Sequence, residues 1–381
     1  MSLFSSNLSY LGIDFDSNSV KVVELKNDNG RPRLVTYGYF DRKVSQASDD
    51  TGQDFLETAK LIKWVCNQSK TTTKKVVTAL PSFSVFNSIL NLPAMPKKEL
   101  NSAVEWEAKK VIPLPLKDMI LDWKVLDAAD TGSEQDLSQE GENGDLEDKN
   151  RINSLRQRKF LKISSKKTED IKILLTAAPK DLVKKYIDIF KAAGLSLLSL
   201  DTEAFSLIRS LVGNDKSAIM IVDVGSAATS ISVVGNGIPV LNRSIRVGGL
   251  AITKTIADSL KVSSEQAEQF KYDIGVDFNR QAGGGIPKLI ESSIMPIIDE
   301  IKYSLNLYRG QGRKDIEKII LTGGSAMLLN LPNYLQNALN LKVYLGDSWA
   351  RVIYPEDLKP VLDEIGPRYS VAIGLAMRNI Q

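Results

Sequence analysis

Short apolar, β-branched runs alternate along this chain with longer stretches whose apolar positions recur at helical spacing. The runs Tyr10 to Phe15, Val20 to Lys26, Val76 to Ala79, Ile173 to Ala177, Ser217 to Asp223 and Thr229 to Val234 read as strands. Helical patterns cover Asp54 to Gln68, Lys97 to Lys110, Pro179 to Ala193, Glu203 to Leu211, Gly249 to Leu260, Ser264 to Ile274, Lys288 to Gln311, Leu331 to Ala338 and Pro367 to Asn379. The alternation predicts an α/β fold. A denser β-like run, Phe83, Val85, Phe86, Ile89, Leu90 and Leu92, closes on Pro93-Ala94-Met95-Pro96 and leads into a helix carrying Trp106. Gly213-Asn214-Asp215 punctuates the middle of the chain, and Gly283-Gly284-Gly285 reads as a loop corner.

Two of the strand patterns repeat one another. Tyr10 to Val23 carries Gly12-Ile13-Asp14-Phe15-Asp16-Ser17-Asn18-Ser19, and Ile219 to Val234 carries Val222-Asp223-Val224-Gly225-Ser226-Ala227-Ala228-Thr229. Each reads as a β-hairpin whose turn lines up backbone N–H groups and hydroxyls for phosphate oxygens, beside a carboxylate suited to a hydrated Mg²⁺. One such turn is ordinary hairpin chemistry. Two could clamp one nucleotide between them. A third element, Lys318 to Met327, runs a buried strand into Thr322-Gly323-Gly324-Ser325, where the glycines let backbone approach a ligand. No Gly-Lys-Ser/Thr follows and the spacing is not Gly-x-Gly-x-x-Gly, which disfavours a P-loop enzyme and a Rossmann dehydrogenase.

Composition narrows the chemistry further. With 381 residues, 43% hydrophobic and 25% charged, the chain suits two globular domains with substantial cores. It contains no histidine, which removes Ser-His-Asp and Cys-His catalysis, and its one cysteine, Cys66, lies in an amphipathic pattern that reads as core. No apolar run is long enough to span a bilayer and no secretory signal is apparent, so a cytoplasmic protein is expected. The net charge of +3 is too small and diffuse for a nucleic-acid binder. Charge is nevertheless segregated: from Asp127 to Asp148 every charged residue is acidic, and from Lys149 to Lys167 every one is basic. With so little apolar content this stretch reads as a flexible insertion. Its basic half, with Phe160 and Leu161, also suits an anionic membrane surface.

The acidic hairpins and the Thr-Gly-Gly-Ser element resemble the actin-like ATPase superfamily. Within it the chain is similar to the PilM family of type IV pilus assembly, on Leu80-Pro81-Ser82, Asn91-Leu92-Pro93-Ala94-Met95-Pro96, Glu105-Trp106-Glu107-Ala108, Ile112-Pro113-Leu114-Pro115 and Leu121-Asp122. Ala177-Ala178-Pro179-Lys180, Asp201-Thr202-Glu203-Ala204-Phe205 and Ala372 to Arg378 extend the likeness over nearly the whole chain, the charged insertion excepted. The resemblance implies an actin-like, ribonuclease H-like fold with two domains flanking a nucleotide cleft. Domain I would span 1–211, with an inserted subdomain at about 80–175 that contains the charged loop 127–168. Domain II would span 212–366, and the helix of 367–381 would return to domain I.

Roles follow from the resemblance residue by residue. Asp14 and Asp223 would hold Mg²⁺ through water, and Asp16, Ser17, Ser19, Lys21, Gly225, Ser226 and Thr229 would surround the phosphates of ATP. Gly248, Gly249, Glu268, Lys271, Gly323, Gly324, Ser325 and Met327 would face phosphate, ribose and adenine. Glu203 would orient an attacking water, with slow hydrolysis at most. Asp16 departs from the glycine usual at its place, and a second carboxylate there would repel phosphates. The implied partners are the cytoplasmic N-terminal peptide of a PilN-like inner-membrane protein, pilus motor or platform proteins, and further copies of the chain, giving peripheral association with the inner membrane. A small-molecule, sugar-type kinase is the alternative, but no sugar-binding signature is found. The FtsA type, with its terminal membrane helix, fits less well, and a type II secretion relative stays open.

Overall fold

The computed structural model describes residues 8–16, 18–42, 55–126, 171–276, 286–313 and 315–380. Ser17, the charged segment 127–168 and the Gly283–Gly285 corner therefore lie outside the described residues.

The chain begins with an antiparallel meander, β1 (Ser9–Phe15), β2 (Ser19–Asp28) and β3 (Arg31–Asp41). After α1 (Phe55–Gln68), β4 (Lys75–Leu80) lies parallel to β1. An insertion follows: β5 (Phe86–Leu92), α2 (Lys97–Val111), β6 (Met119–Val125) and β7 (Ile171–Pro179). Then α3 (Lys180–Ala193) leads to β8 (Ser196–Thr202), parallel to β4, and α4 (Glu203–Leu207) continues into a π-turn at Ile208–Val212. The sheet order is β3-β2-β1-β4-β8.

The second half repeats this plan. Strands β9 (Ile219–Val224), β10 (Thr229–Gly235) and β11 (Ile238–Ile245) form an antiparallel meander. Helices α5 (Gly249–Leu260), α6 (Ser264–Ile274) and α7 (Ile286–Gly310) precede β12 (Lys318–Thr322), parallel to β9. After α8 (Leu331–Leu339) comes β13 (Lys342–Leu345), and α9 (Lys359–Met377) ends the described fold. The order β11-β10-β9-β12-β13 matches the first sheet strand for strand. Even details recur. Asn29-Gly30 and Asn236-Gly237 turn the second hairpin of each meander with positive φ, and each of those hairpins carries one bulge.

Both faces of the first sheet are covered, so β1 is apolar on both sides rather than alternating. Leu11 and Ile13 pack with Ile62, Val65, Ile189 and Phe190 of α1 and α3, while Tyr10 packs with Tyr369, Ile373 and Met377 of α9. Full burial of each such side chain contributes about 2 kcal/mol. Close approach requires Gly12, since a Cβ there would lie 1.9 Å from the Ala372 carbonyl oxygen. Gly374 likewise meets the Ser206 carbonyl of α4, at 1.8 Å from an added Cβ. A further cluster, with Val77 and Ala79 of one sheet, Ile219 and Ile221 of the other, and Leu207, Val371 and Leu375 between, joins the two halves.

The insertion forms its own three-stranded sheet, β5-β7-β6, with α2 packed through Leu100, Val104 and Ala108. The Cys66 thiol is buried in the core of the first half, and burial pushes its pKa up to about 11. Helix α9 begins two turns before the start expected at Pro367. That proline sits inside the helix, and its carbonyl accepts the Gly323 N–H at 3.0 Å and the Thr322 hydroxyl at 2.9 Å. Among the described residues no helix is long and apolar enough to cross a membrane.

Candidate functional site

The two β-hairpins that open the meanders meet across a cavity of about 910 Å³ between the sheets. This is the size of a small-molecule site. Asp14, Asp16, Ser19, Lys21, Glu203, Asp223, Gly225, Ser226, Gly249, Glu268, Lys271, Gly323, Gly324, Ser325 and Met327 all line it, drawn together from the length of the chain.

The first hairpin tightens through the Asp16 N–H, which donates to the Ser19 carbonyl at 2.9 Å. The Asp16 carboxylate then accepts the N–H groups of Asn18 and Ser19 at 2.6 and 2.7 Å. The register of β1 on β2 places Lys21 beside Asp14, and its ammonium reaches that carboxylate at 3.2 Å and the Ser19 hydroxyl at 2.9 Å. Burial works against the Lys21 charge, but Asp14 and Asp16 outweigh it and raise its pKa.

In the second hairpin the Gly225 N–H donates to the Ala228 carbonyl at 3.0 Å. Helix α5 docks on it: the N–H groups of Gly249 and Leu250 donate to the carbonyls of Gly225 and Ser226, at 3.0 and 2.9 Å. The Ser325 hydroxyl reaches the Gly225 carbonyl at 3.2 Å. Among the described residues no cation pairs with Asp223 at salt-bridge distance. Burial, followed by the field of Asp14, lifts its pKa to about 7 against the offset of Lys21.

Glu203, in the first turn of α4, stands at the floor between the halves. It accepts the Ser82 N–H and hydroxyl at 3.0 and 2.5 Å from one side and the Ser230 hydroxyl at 3.5 Å from the other. Burial raises its pKa to about 7; the Ser82 hydroxyl opposes the rise, while the charges of Asp223 and Asp14 add to it. Such a carboxyl exchanges a proton near neutral pH and can orient a water molecule.

On the opposite wall, Lys271 is 2% exposed and so does not form a surface ion pair. Its ammonium lies 2.8 Å from both Glu268 oxygens, 3.1 Å from the Thr253 hydroxyl and 3.4 Å from the Gly249 carbonyl. Burial lowers its pKa and Glu268 opposes that. Gly323 takes φ +90°, and a Cβ there would strike Asp223 Oδ1 at 2.3 Å. Gly324 faces open space, with nothing within 4 Å of an added Cβ, so its backbone is accessible to a ligand.

Two expected residues stand elsewhere. Thr229 is wholly buried and donates to the Val247 carbonyl at 2.7 Å, so it fixes the strand exit rather than facing the cavity. Gly248 packs against the second hairpin, 2.6 Å from the Gly225 and Ser226 carbonyls for an added Cβ, and does not line the cavity either. Ser17 lies outside the described residues. The structure also adds Tyr39, Tyr186, Lys185, Tyr272 and Arg368 to the walls. Burial, followed by Glu203 and Asp14, raises the pKa of the Tyr186 phenol. These residues come from helix and strand faces that carry no motif. Only their helical phase, α3 presenting Lys185, Tyr186 and Ile189 to one side, could have indicated them.

The donors suit Mg²⁺ and a phosphate-bearing ligand: hard carboxylate oxygens on both hairpins, with turn amides and glycines between them. Among the described residues no group of three or more acids is gathered tightly enough to hold a metal alone. Asp14 and Asp223 would therefore share a hydrated ion with the ligand's phosphates.

Two sheets of one strand order, closing on a cleft between two acid-bearing hairpins, define an actin-like ATPase fold. The sequence model of the family described as type IV pilus assembly protein PilM matches residues 12–138 and 158–380. The chain belongs to that family. Its gap falls within the charge-segregated segment. Among solved structures, the PilM-PilN type IV pilus biogenesis complex is 23% identical with a TM-score of 0.77, covering 98% of this chain and 99% of that one. The ethanolamine utilization protein EutJ from Carboxydothermus hydrogenoformans has 14% identity and a TM-score of 0.52, over 97% and 90% of the two chains. MreB 5 of Spiroplasma citri bound to AMPPNP has 13% identity and a TM-score of 0.50, over 96% and 94%. The cell division protein FtsA of Bacillus subtilis (strain 168) is 23% identical over 224 residues, 53% of this chain and 48% of FtsA. The chain thus spans about half the length of the curated relatives it matches.

Proposed function

We propose that this protein is an ATP-binding, cytoplasmic adaptor of type IV pilus assembly, which holds a nucleotide between its two sheets and the N-terminal peptide of a PilN-like inner-membrane protein on its inserted subdomain. The observation that carries the nucleotide part is the cavity itself, walled by two like hairpins and by the open backbone of Gly324. Lys271, Glu268 and Gly249 would hold the nucleoside end, the turn amides of the second hairpin would hold phosphate, and Asp14 and Asp223 would hold Mg²⁺ through water. Bound Mg²⁺ would neutralise phosphate charge; Glu203 would position a water, and turnover would be slow. The nucleotide then acts chiefly as a ligand that fixes the two halves relative to one another.

Family membership supports the pilus reading over a small-molecule kinase, as does the likeness to the solved PilM-PilN complex. The insertion offers Trp106, Leu114 and Ile120 as exposed apolar side chains, with Trp106 60% exposed. Strand β6 pairs only with β7 among the described residues, leaving an edge to which an extended peptide could add. Attachment to motor or platform proteins, self-association and a place at the inner face of the cytoplasmic membrane complete the proposal. Titrating the purified protein, with and without MgATP, with the N-terminal peptide of the PilN-like protein from the same genome tests it. Saturable binding of the native but not the scrambled peptide is expected. Binding of MgATP without binding of the peptide would overturn the adaptor reading.

A further inference from the structure

The two hairpins share one turn. Asp16 N–H to Ser19 carbonyl, 2.9 Å, corresponds to Gly225 N–H to Ala228 carbonyl, 3.0 Å. Asp14 therefore answers to Asp223, Asp16 to Gly225, and Asn18 and Ser19 to Ala227 and Ala228. The internal repeat thus supplies its own comparison.

What differs is the fate of the turn amides. In the second copy Gly225 carries no side chain, and among the described residues no side-chain acceptor reaches the N–H groups of Ala227 or Ala228. In the first, Asp16 Oδ1 accepts both corresponding N–H groups at 2.6 and 2.7 Å, and Oδ2 accepts the Ser19 hydroxyl at 3.3 Å. Backbone amides aligned in a turn are an anion site, and a carboxylate oxygen that takes two of them does what a phosphate oxygen would do there. Asp16 also lines the cavity, so its charge faces whatever enters. Lys21, whose ammonium feels the Asp16 charge, is paired with Asp14 at 3.2 Å.

We propose that Asp16 is a built-in occupant of the phosphate site on the first hairpin. Its carboxylate holds the turn in the shape an anion would impose and keeps one phosphate group off the amides of Asn18 and Ser19. The ligand class affected is the nucleoside di- and triphosphates, whose affinity Asp16 holds down, whereas a nucleoside without phosphates is indifferent to it. The two hairpins then divide the work: the second binds phosphate, and the first admits it only when Asp16 is displaced. This rests on the nucleotide reading above.

The test compares wild type, Asp16→Gly and Asp16→Asn by calorimetric titration with MgATP, MgADP and adenosine at one fixed ionic strength. Asp16→Gly removes the charge and frees the amides. Asp16→Asn removes the charge but keeps an acceptor in place, so it also preserves the turn should the glycine variant fold poorly. MgATP and MgADP are expected to bind Asp16→Gly at least about tenfold tighter than wild type, roughly 1.4 kcal/mol, with Asp16→Asn between them. Adenosine is expected to change by less than about twofold. If wild type binds MgATP and neither variant binds it tighter, the role of Asp16 is overturned while the nucleotide reading stands. An equal gain for adenosine overturns it as well. If none of the three proteins binds any of the three ligands, both readings fall.

Discussion

Replacing Glu203 with glutamine isolates the cost of burying its carboxyl. The side chain keeps its acceptor for the Ser82 N–H and hydroxyl, so the geometry at the cleft floor is preserved and only the titration is lost. The folded carboxyl titrates near 7, against an ordinary value of 4.5. Below pH 4.5 both folded and unfolded chains hold the proton, and Glu203 makes no difference. As pH rises from there to about 7 the unfolded chain releases its proton first, so wild type loses stability across that window and the loss is constant above it. At about 1.4 kcal/mol per pH unit the limit is roughly 3 kcal/mol, and screening by water in an open cavity lowers this to about 1–2 kcal/mol. Thermal melts in a metal-chelating buffer should therefore show Glu203→Gln and wild type nearly coincident at pH 4.5. By pH 8 the variant should melt about 1–3 °C higher. A variant that melts lower than wild type at pH 8, or one displaced equally at both pH values, would refute the reasoning, because the carboxyl would then contribute packing or hydrogen bonding rather than a titration cost.

Three further outcomes are expected. Gly324→Val should fold with unchanged melting temperature, because an added Cβ meets nothing within 4 Å, yet weaken MgATP binding at least about tenfold by filling the cavity wall; titration and melting together check this. Gly374→Val drives a side chain into the Ser206 carbonyl and should destabilise by about 3 kcal/mol or more, seen as reduced soluble yield and an early melt. MgADP should stabilise the protein more at pH 8 than at pH 6, since Asp223, with its pKa near 7, must be ionised to hold the cation, and scanning calorimetry at the two pH values reads the difference.

Much of this architecture was legible in the chain, and the parts that were not share physical causes. The first strand pair of each meander showed because apolar, largely β-branched side chains fill most of its buried positions, and helices α5 and α6 fell on their expected bounds because Gly249, Ser263 and Gly275 mark their ends. The third strand of each meander escaped. Arg31–Asp41 and Ile238–Ile245 are half-exposed edge strands with mixed polarity, and only the Asn-Gly turn before each announced them. Strands β6, β8 and β13 were hidden for the same reason. Within the site, the two aspartates and the paired glycines could be read because turn chemistry is local. The demotion of Thr229 could not, since its hydroxyl is used by Val247, eighteen residues on and supplied by the α5 approach. Nor could the capture of the Asn18 and Ser19 amides by Asp16, which depends on the turn closing first.

The seat of α9 on β1 and β2 has a consequence for how the chain acquires its structure. Tyr10, Val23 and Leu25 are covered on one face by Trp349, Tyr369, Ile373, Met377 and Ile380, so the first meander is completed by residues synthesised more than three hundred positions later. Contacts of such sequence separation form slowly, and until they form an apolar sheet face stands bare. In the second half α5 and α7 cover one face of the meander from its own stretch of sequence, and the other face packs through Ile219 and Ile221 on Leu207, already synthesised, as well as on Val371 and Leu375 of α9. Vectorial synthesis would thus leave the earlier half waiting on the later one, and a ribosome-bound chain halted before α9 emerges would present β1 and β2 to chaperones.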